Sequence, residues 1–425
     1  MATTGTAPKP LKGSPLLRRP AVLKLLFIAL LAETGYAVMN LSTMPPYLHD
    51  DRKFGTGTMG LVIVAFLLSE ALFKSPMGHV SDKIGPKKLM IFGPALSVGT
   101  ALVSLIVPRT GGGFLELMTF IGLRSLDGLG AAMLWPAAYT AVSNAVEDSE
   151  RQEVMSFLNL CYMVGIAIAF GVGGAANDLT GTKWAGMVVA AAMFLGVSLC
   201  SWRFVPDIDS SSIRRDRPGE SGFSDFKKSV KHIPTYLLLS LVTFAGIGFP
   251  FTIFKLFLKE QFQLSESMVG ALVLPSALAM ALASVPMSKL GEKIGRSRAV
   301  HLGLLLSAAG MWLIAIGAII PPMRQVWICA VCGIPLAIGF LVTIPAWMAS
   351  VSDIDPKCRG ANLGAVMTAQ GLGAIIGAPI GSFMYEKLQH IGLGHAFGRY
   401  SPFIGCAVCI TLGFFLSLQI LRDPK

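Results

Sequence analysis

Five ionisable side chains fall inside long apolar runs: Glu33, Glu70, Lys74, Arg124 and Asp127. Each costs about 2.5–3.5 kcal/mol at the centre of a membrane-spanning helix, so five left alone would cost roughly 12–18 kcal/mol. That is as much as, or more than, the whole stability of a typical domain, about 5–15 kcal/mol. They must therefore pair or face a water-filled cavity. Glu70 and Lys74 are four residues apart and share a helix face; Arg124 and Asp127, three apart, do the same. One reading is structural ion pairing, Glu70 with Lys74 and Arg124 with Asp127 or Glu33. The other is proton chemistry. Desolvation and a neighbouring Arg shift a carboxylate's affinity for its proton in opposite directions, and opening a cavity changes both effects. Glu33 with Arg124 beside it would then load a proton on one side of a membrane and release it on the other. A cationic substrate would compete for the same charge. About 150 mV supplies roughly 3.5 kcal/mol per charge moved, enough to drive such an exchange. Glu33, Tyr36 and Asn40 form one polar stripe, which belongs on a cavity wall rather than against lipid.

The elements that must position these groups are membrane helices. The chain has 425 residues, 53% hydrophobic and only 14% charged, with a mean hydropathy of +0.65. Soluble domains carry about 25% charged residues, so a water-soluble enzyme is excluded, as are disordered and disulfide-stapled secreted proteins. A spanning helix takes about 20 residues. Apolar runs fall at 21–48, 57–78, 88–107, 115–142, 153–177 and 184–204, and again at 234–258, 267–288, 299–320, 325–350, 360–385 and 399–421. The 46 glycines and 25 prolines suit close-packed, bent spans. The expected fold is an all-α membrane protein of 12 transmembrane helices in two six-helix bundles around a central cavity. Its parts are a disordered cytoplasmic N-terminus (1–20), an N-terminal bundle (21–204), a polar cytoplasmic linker (205–233), a C-terminal bundle (234–421) and a tail (422–425).

The formal net charge of +11 does not indicate nucleic acid, because Lys and Arg sit between the apolar runs. Placing both termini in the cytoplasm puts most of them inside, as the positive-inside rule requires. The Cys329/Cys332 and Cys406/Cys409 pairs lie within apolar runs and read as small-residue packing, with no metal site or cofactor. Lys255, toward the outer end of the seventh run, reads as a side chain snorkelling to the interface, with an anion contact as the alternative. There is no H-E-x-x-H, G-x-S-x-G or phosphate-binding loop, hence no case for a protease, hydrolase or ATP-driven pump.

The two halves repeat. Pro76-Met77-Gly78-His79-Val80-Ser81-Asp82-Lys83-Ile84-Gly85 aligns with Pro286-Met287-Ser288-Lys289-Leu290-Gly291-Glu292-Lys293-Ile294-Gly295. Trp135-Pro136-Ala137 aligns with Ile344-Pro345-Ala346, and Gly165 and Gly173 align with Gly373 and Gly381. Two six-helix units in the same orientation are the parallel repeat of a secondary transporter. On this alignment Glu33, Glu70, Lys74, Arg124 and Asp127 fall on Thr243, Met280, Ser284, Gly333 and Leu336. The second half lacks all five charges. The first half is therefore expected to handle protons and the second to offer an apolar wall, with Phe249, Phe254, Phe340 and Trp347 as candidates.

These motifs resemble the major facilitator superfamily. Gly78-His79-Val80-Ser81-Asp82-Lys83-Ile84-Gly85-Pro86-Lys87-Lys88 is similar to the family's G-x-x-x-D-[RK]-x-G-[RK]-[RK], with Pro86 in place of a basic residue. Arg124-Ser125-Leu126-Asp127-Gly128-Leu129-Gly130 is similar to R-x-x-Q-G-x-G, with Asp127 where Gln is usual. Gly165 through Gly174 resembles the drug/proton antiporter pattern G-x-x-x-G-P-x-x-G-G, with Ala169-Phe170 in place of the central Gly-Pro. The resemblance implies a cytoplasmic gate built from Gly78, Asp82, Lys83, Gly85, Lys87 and Lys88, with Lys74 nearby. It also implies alternating access. The expected protein is not an enzyme. It is a monomer in a lipid bilayer, a bacterial inner membrane, and exports a lipophilic or amphipathic small molecule in exchange for protons. A proton symporter importing a small metabolite or organic anion is the alternative, and an uncoupled lipid-translocating or sensor protein is the alternative of another class.

Overall fold

The computed structural model describes residues 16–147, 150–207, 233–354, 359–390 and 394–421. Most of the expected N-terminal tail and linker, and the 422–425 tail, lie outside the described residues. Twelve long helices follow in order: α1 (Pro20–Asp51), α2 (Thr56–Ile84), α3 (Pro86–Ile106), α4 (Phe114–Asn144), α5 (Arg151–Thr180), α6 (Ala185–Phe204), α7 (Pro234–Phe251), α8 (Glu266–Ile294), α9 (Arg296–Ala315), α10 (Val326–Ile354), α11 (Arg359–Leu388) and α12 (His395–Ile420). Each falls on one of the twelve apolar runs. By length and composition, 11 of the helices could cross a membrane among the described residues; α8 has comparable length.

Proline explains the irregular stretches. Pro45 and Pro46 lack the N–H that would close an ordinary turn, and α1 widens into π-helical turns at Val38–Thr43 and Tyr47–Asp51 on either side of them. Pro250 precedes the end of α7. The seventh run, read as one span, is instead α7 followed by a separate short helix, Phe254–Phe262.

The chain forms two compact units. In the first, α1 packs on α5 and α6, and α3 packs on α4 and α6. In the second, α7 packs on α11 and α12, and α9 packs on α10 and α12. The pairs correspond helix for helix, so the sequence repeat is a structural repeat. The glycines mark where its backbones approach. A methyl at Gly173 would meet Ser42 on α1, and one at Gly373 would meet Leu241 and Ala245 on α7. Gly85 and Gly295, aligned in sequence, both adopt left-handed backbone, with φ of 88° and 93°. Each lets the chain turn between two long helices at a φ that penalises any side chain.

Each unit takes the opening turns of one helix from the other half of the sequence. Residues Ser265–Ala277 group with the first unit and Lys53–Val64 with the second. Carboxylates hold both starts in the same way. In the first unit the Ser267 N–H donates to Asp178 Oδ2 at 2.7 Å. In the second the Gly57 N–H donates to Glu386 Oε2 at 2.7 Å. A carboxylate at a helix start satisfies an orphan amide and complements the dipole. In the first unit Glu266 also accepts from Asn177 and from Lys183, both at 2.8 Å. Burial alone would pull the Lys183 ammonium down, but the hydrogen bond and charge of Glu266 outweigh it, and its affinity for the proton is raised overall.

Candidate functional site

The five intramembrane charges all lie in the first unit, and four of them are paired. On α2, Lys74 Nζ donates to Glu70 Oε1 at 2.7 Å, one turn apart. On α4, Arg124 Nη1 donates to Asp127 Oδ2 at 2.8 Å, with both side chains wholly buried. Thr100 donates to the other Asp127 oxygen at 3.3 Å. Of the two partners open to Arg124, the fold thus gives it Asp127. Among the described residues, Arg124 Nε and Nη2 are buried with no hydrogen-bond partner. Removing water from a guanidinium while leaving two donors unused is costly, so its pairing with Asp127 is only partial compensation.

Glu33 differs from the other four. It is 5% exposed on α1 and has no hydrogen bond or ion pair among the described residues. The charges that act on it are those of Glu70 and Lys74, not the adjacent Arg124 of the sequence-based expectation. It is also pressed against α5. A Cβ at Gly165 would stand 2.9 Å from Glu33 Cβ and 3.0 Å from its Cγ. The glycine of the antiporter-like pattern is what lets α5 approach α1 at this carboxylate.

The stripe of Tyr36 and Asn40 turns into the helix packing. Tyr36 hydroxyl and Ser97 hydroxyl share a hydrogen bond of 3.0 Å. Its ring lies between Phe194 and Phe66, with centroids at 4.6 and 5.9 Å. Asn40 donates to the Tyr36 carbonyl at 3.0 Å. Both are buried. In the second unit, Trp347 is buried and its Nε1 has no hydrogen-bond partner among the described residues. Phe249, Phe254 and Phe340 are half-buried, and the Phe249 ring lies beside Gly405 of α12. Lys255 is 2% exposed, so it does not snorkel outward but is enclosed at the start of the short helix.

Around the gate motif, Gly85 turns the chain into α3. Lys87 reaches Asp207 at 3.5 Å, an exposed pair worth little by itself. Lys88 is exposed and Gly78 half-buried beside Pro136. The side chains of Asp82 and Lys83 lie outside the described ones.

Three aromatic residues near the charges escaped the sequence reading as site residues. Trp135 and Tyr139, one turn apart on α4, have ring centroids 6.4 Å apart. Tyr162 on α5 meets Trp135 edge-on at 5.6 Å. The charges of Glu33 and Glu70 act on both Tyr139 and Tyr162. Trp135 was visible only as a landmark of the repeat. The four-residue spacing to Tyr139 was a signal for one shared face, but nothing in it pointed across to α5.

The family model of the Major Facilitator Superfamily matches residues 25–256 and again 236–425, one match for each half of the repeat. Multidrug resistance protein 2 of Bacillus subtilis is 25% identical over 95% of this chain and 96% of its own length. The class H tetracycline resistance protein of Pasteurella multocida is 23% identical over 77% of this chain and 79% of its own. Among solved structures, a nucleoside transporter superposes with a TM-score of 0.78 at 13% identity, covering 95% of this chain and 100% of that one. A bacterial homologue of the human lysosomal transporter Spinster reaches 0.75 at 16% identity, over 97% and 99%. Two family matches, the helix-for-helix repeat and the motifs around Gly85 and Arg124 agree: this chain is an all-α, multi-pass membrane protein belonging to the Major Facilitator Superfamily.

Proposed function

We propose that this protein is a proton-coupled antiporter that exports a lipophilic or amphipathic small molecule by alternating access, with Glu33 as the proton carrier. The observation that carries this reading is the inequality among the five charges. Glu70 is held by Lys74 and Asp127 by Arg124, whereas Glu33 is buried with no such partner among the described residues. A buried carboxylate without a counter-ion exchanges charge for a proton at least cost when its surroundings change. Glu70 and Lys74 then set the field in which Glu33 titrates, and the motif from Gly78 to Lys88 acts as the cytoplasmic gate. The multidrug and tetracycline resistance proteins among the relatives favour export over uptake. The protein is read as a monomer in a bacterial inner membrane with both termini in the cytoplasm.

A second reading is uptake of an organic anion with protons. It is favoured by the two unused donors of Arg124, which suit a carboxylate or phosphate.

Liposomes containing the purified protein, an imposed pH gradient and an internal pH dye separate the two. Amphipaths added one at a time should dissipate the gradient with wild type and not with Glu33→Gln. Anions carrying protons in their own direction would install the second reading. Full coupled transport by Glu33→Gln would overturn the first, and no proton movement with any compound would leave an uncoupled protein on this fold.

A further inference from the structure

The start of α1 and the end of α6 bring two cations to one aromatic ring. Lys24 Nζ lies 4.9 Å from the centre of the Phe204 ring, and the Arg203 guanidinium carbon lies 5.9 Å from the same centre. The ring attracts each cation, but the cations repel each other. All three residues are exposed, and neither cation has an ion pair among the described residues. Nearby cations do have one: Arg19 is taken up by Glu150, and Lys87 reaches Asp207. Arg203 by itself has a simple job, since a cation in the last turn of α6 complements the helix dipole. Lys24 has no such job. It stands near the positive end of α1, whose first turn holds no acidic residue. Like charges gathered without a carboxylate leave a place for an anion from outside the chain.

The surface leading away from this corner is apolar. α1 and α6 pack antiparallel, with Gly35 of α1 against Phe194 and Gly196 of α6 against Leu31. Lys24, two turns before Leu31, and Phe204, two turns after Gly196, continue that pairing to the helix ends. Beside the seam, Leu23 and Phe27 of α1 and Leu195 and Leu199 of α6 are exposed, and Trp202 is 64% exposed. In a membrane-spanning chain such a surface meets acyl chains. A tryptophan at the end of a span marks the headgroup level, and Lys and Arg stems run along apolar surface to hold their charges there.

We infer that Lys24 and Arg203, gathered on Phe204, bind the phosphate of an anionic phospholipid whose acyl chains lie along the α1–α6 seam over Phe27 and Leu199. A basic pocket between two spans selects an anionic headgroup over a zwitterionic one, because the ammonium of the latter offsets its own phosphate. The site lies wholly within the first unit and is independent of the proposed export. The lipid joins α1 to α6 at the one end where their unpaired side chains carry like charges.

Trp202 reports on this corner. The full-length protein is reconstituted into phosphatidylcholine vesicles with rising fractions of brominated phosphatidylglycerol, and brominated phosphatidylcholine serves as the reference. Each protein is paired with its own Trp202→Phe form, and the difference in tryptophan quenching isolates this one ring. Wild type should prefer phosphatidylglycerol by roughly 5- to 30-fold. Lys24→Gln and Arg203→Gln should each lose roughly 3- to 5-fold of that preference, and the double variant should show little. These residues are exposed, so the fold should survive each change. Arg298→Gln removes an equally exposed arginine from the start of α9 and should leave the preference unchanged. An equal preference in wild type and the double variant would overturn the inference. So would an equal loss in Arg298→Gln, which would mean that the basic surface as a whole attracts the lipid. Displacement of phosphatidylglycerol by millimolar inorganic phosphate, beyond that caused by sodium chloride of matched ionic strength, would assign the corner to a soluble anion and remove the lipid from it.

Discussion

Glu33 and Gly165 meet where there is no room for a methyl group: a Cβ at position 165 would lie 2.9 Å from Glu33 Cβ and 3.1 Å from the Thr34 amide nitrogen. The close approach sets where the carboxylate points and fixes Tyr162, one turn earlier on α5, relative to it. Gly165→Ala must push α5 away or turn Glu33 aside. Overpacking of this kind costs about 1–3 kcal/mol, and here it falls on the residue proposed to carry the proton. Coupled transport in liposomes should drop by roughly tenfold or more in Gly165→Ala, with expression and folding retained. Gly171→Ala on the same helix is the control, because a Cβ at 171 meets nothing within 4 Å, and it should transport normally. Equal activity of the two variants would separate Glu33 from the packing at Gly165.

A second buried pair has a structural job. Arg52 at the end of α1 donates to Glu116 at 3.0 Å, and both side chains are buried. Arg52 also donates to the Tyr47 hydroxyl and the Val107 carbonyl, both at 2.8 Å, and lies over the Tyr47 and Phe120 rings. Glu116 spends its other oxygen on the Thr110 and Gly112 amides. The pair therefore ties α1 to the connection between α3 and α4. Removing one member leaves the other charged and buried without its counter-ion, which costs about 3–5 kcal/mol. Arg52→Met should lower the unfolding midpoint of the detergent-solubilised protein much more than Lys87→Met, which breaks only the exposed contact with Asp207. Equal midpoints would mean that water reaches Glu116.

At the opposite end of α1, Arg19 makes a two-pronged contact with Glu150, at 2.7 and 2.6 Å, joining the starts of α1 and α5. Arg19's hydrogen bond holds the Glu150 carboxyl below the ordinary glutamate range; burial opposes it, and the Glu147 amide and the Arg19 charge add smaller contributions in the same direction as the hydrogen bond. A depressed carboxyl contributes stability that is fully present above its unfolded value, about 4.3, and is lost as pH falls through the lower folded value. Melting curves of wild type and Glu150→Gln should therefore differ at neutral pH and converge in acid, below about pH 4. A gap that widened on acidification would contradict the assignment.

What could be read from the sequence depended on the range of the interaction. Gly85 and Gly295 were visible as matched positions because a turn is local, and their shared left-handed conformation follows. The pairing of Glu70 with Lys74 was visible because a helix brings i and i+4 together. Helical spacing also gave Arg124 and Asp127 a common face, but it left Glu33 as a rival partner for Arg124, and only the packing of α4 on its neighbours decided for Asp127. The stripe of Tyr36 and Asn40 was real, yet periodicity does not say what a stripe faces: Ser97 of α3 and Phe194 of α6 fill that side. Lys255 was misread for the same reason, since its depth in the run did not reveal what encloses it. Tyr162 could not be joined to Trp135 from spacing at all, because they meet across two helices.

The charges beside Glu33 can be changed without touching Glu33. Lys74 is 48% exposed along its side chain, so replacing it opens no buried cavity and should leave the fold intact. In Lys74→Met, Glu70 loses its counter-ion and a second uncompensated negative charge stands near Glu33; in Glu70→Gln the ammonium of Lys74 stands unpaired instead. Each single variant should lower coupled transport in liposomes roughly tenfold. The double variant removes the pair whole and should recover most of the transport, a non-additive outcome that only a coupled pair gives. Losses that add in the double variant would mean that Glu70 and Lys74 act separately on Glu33.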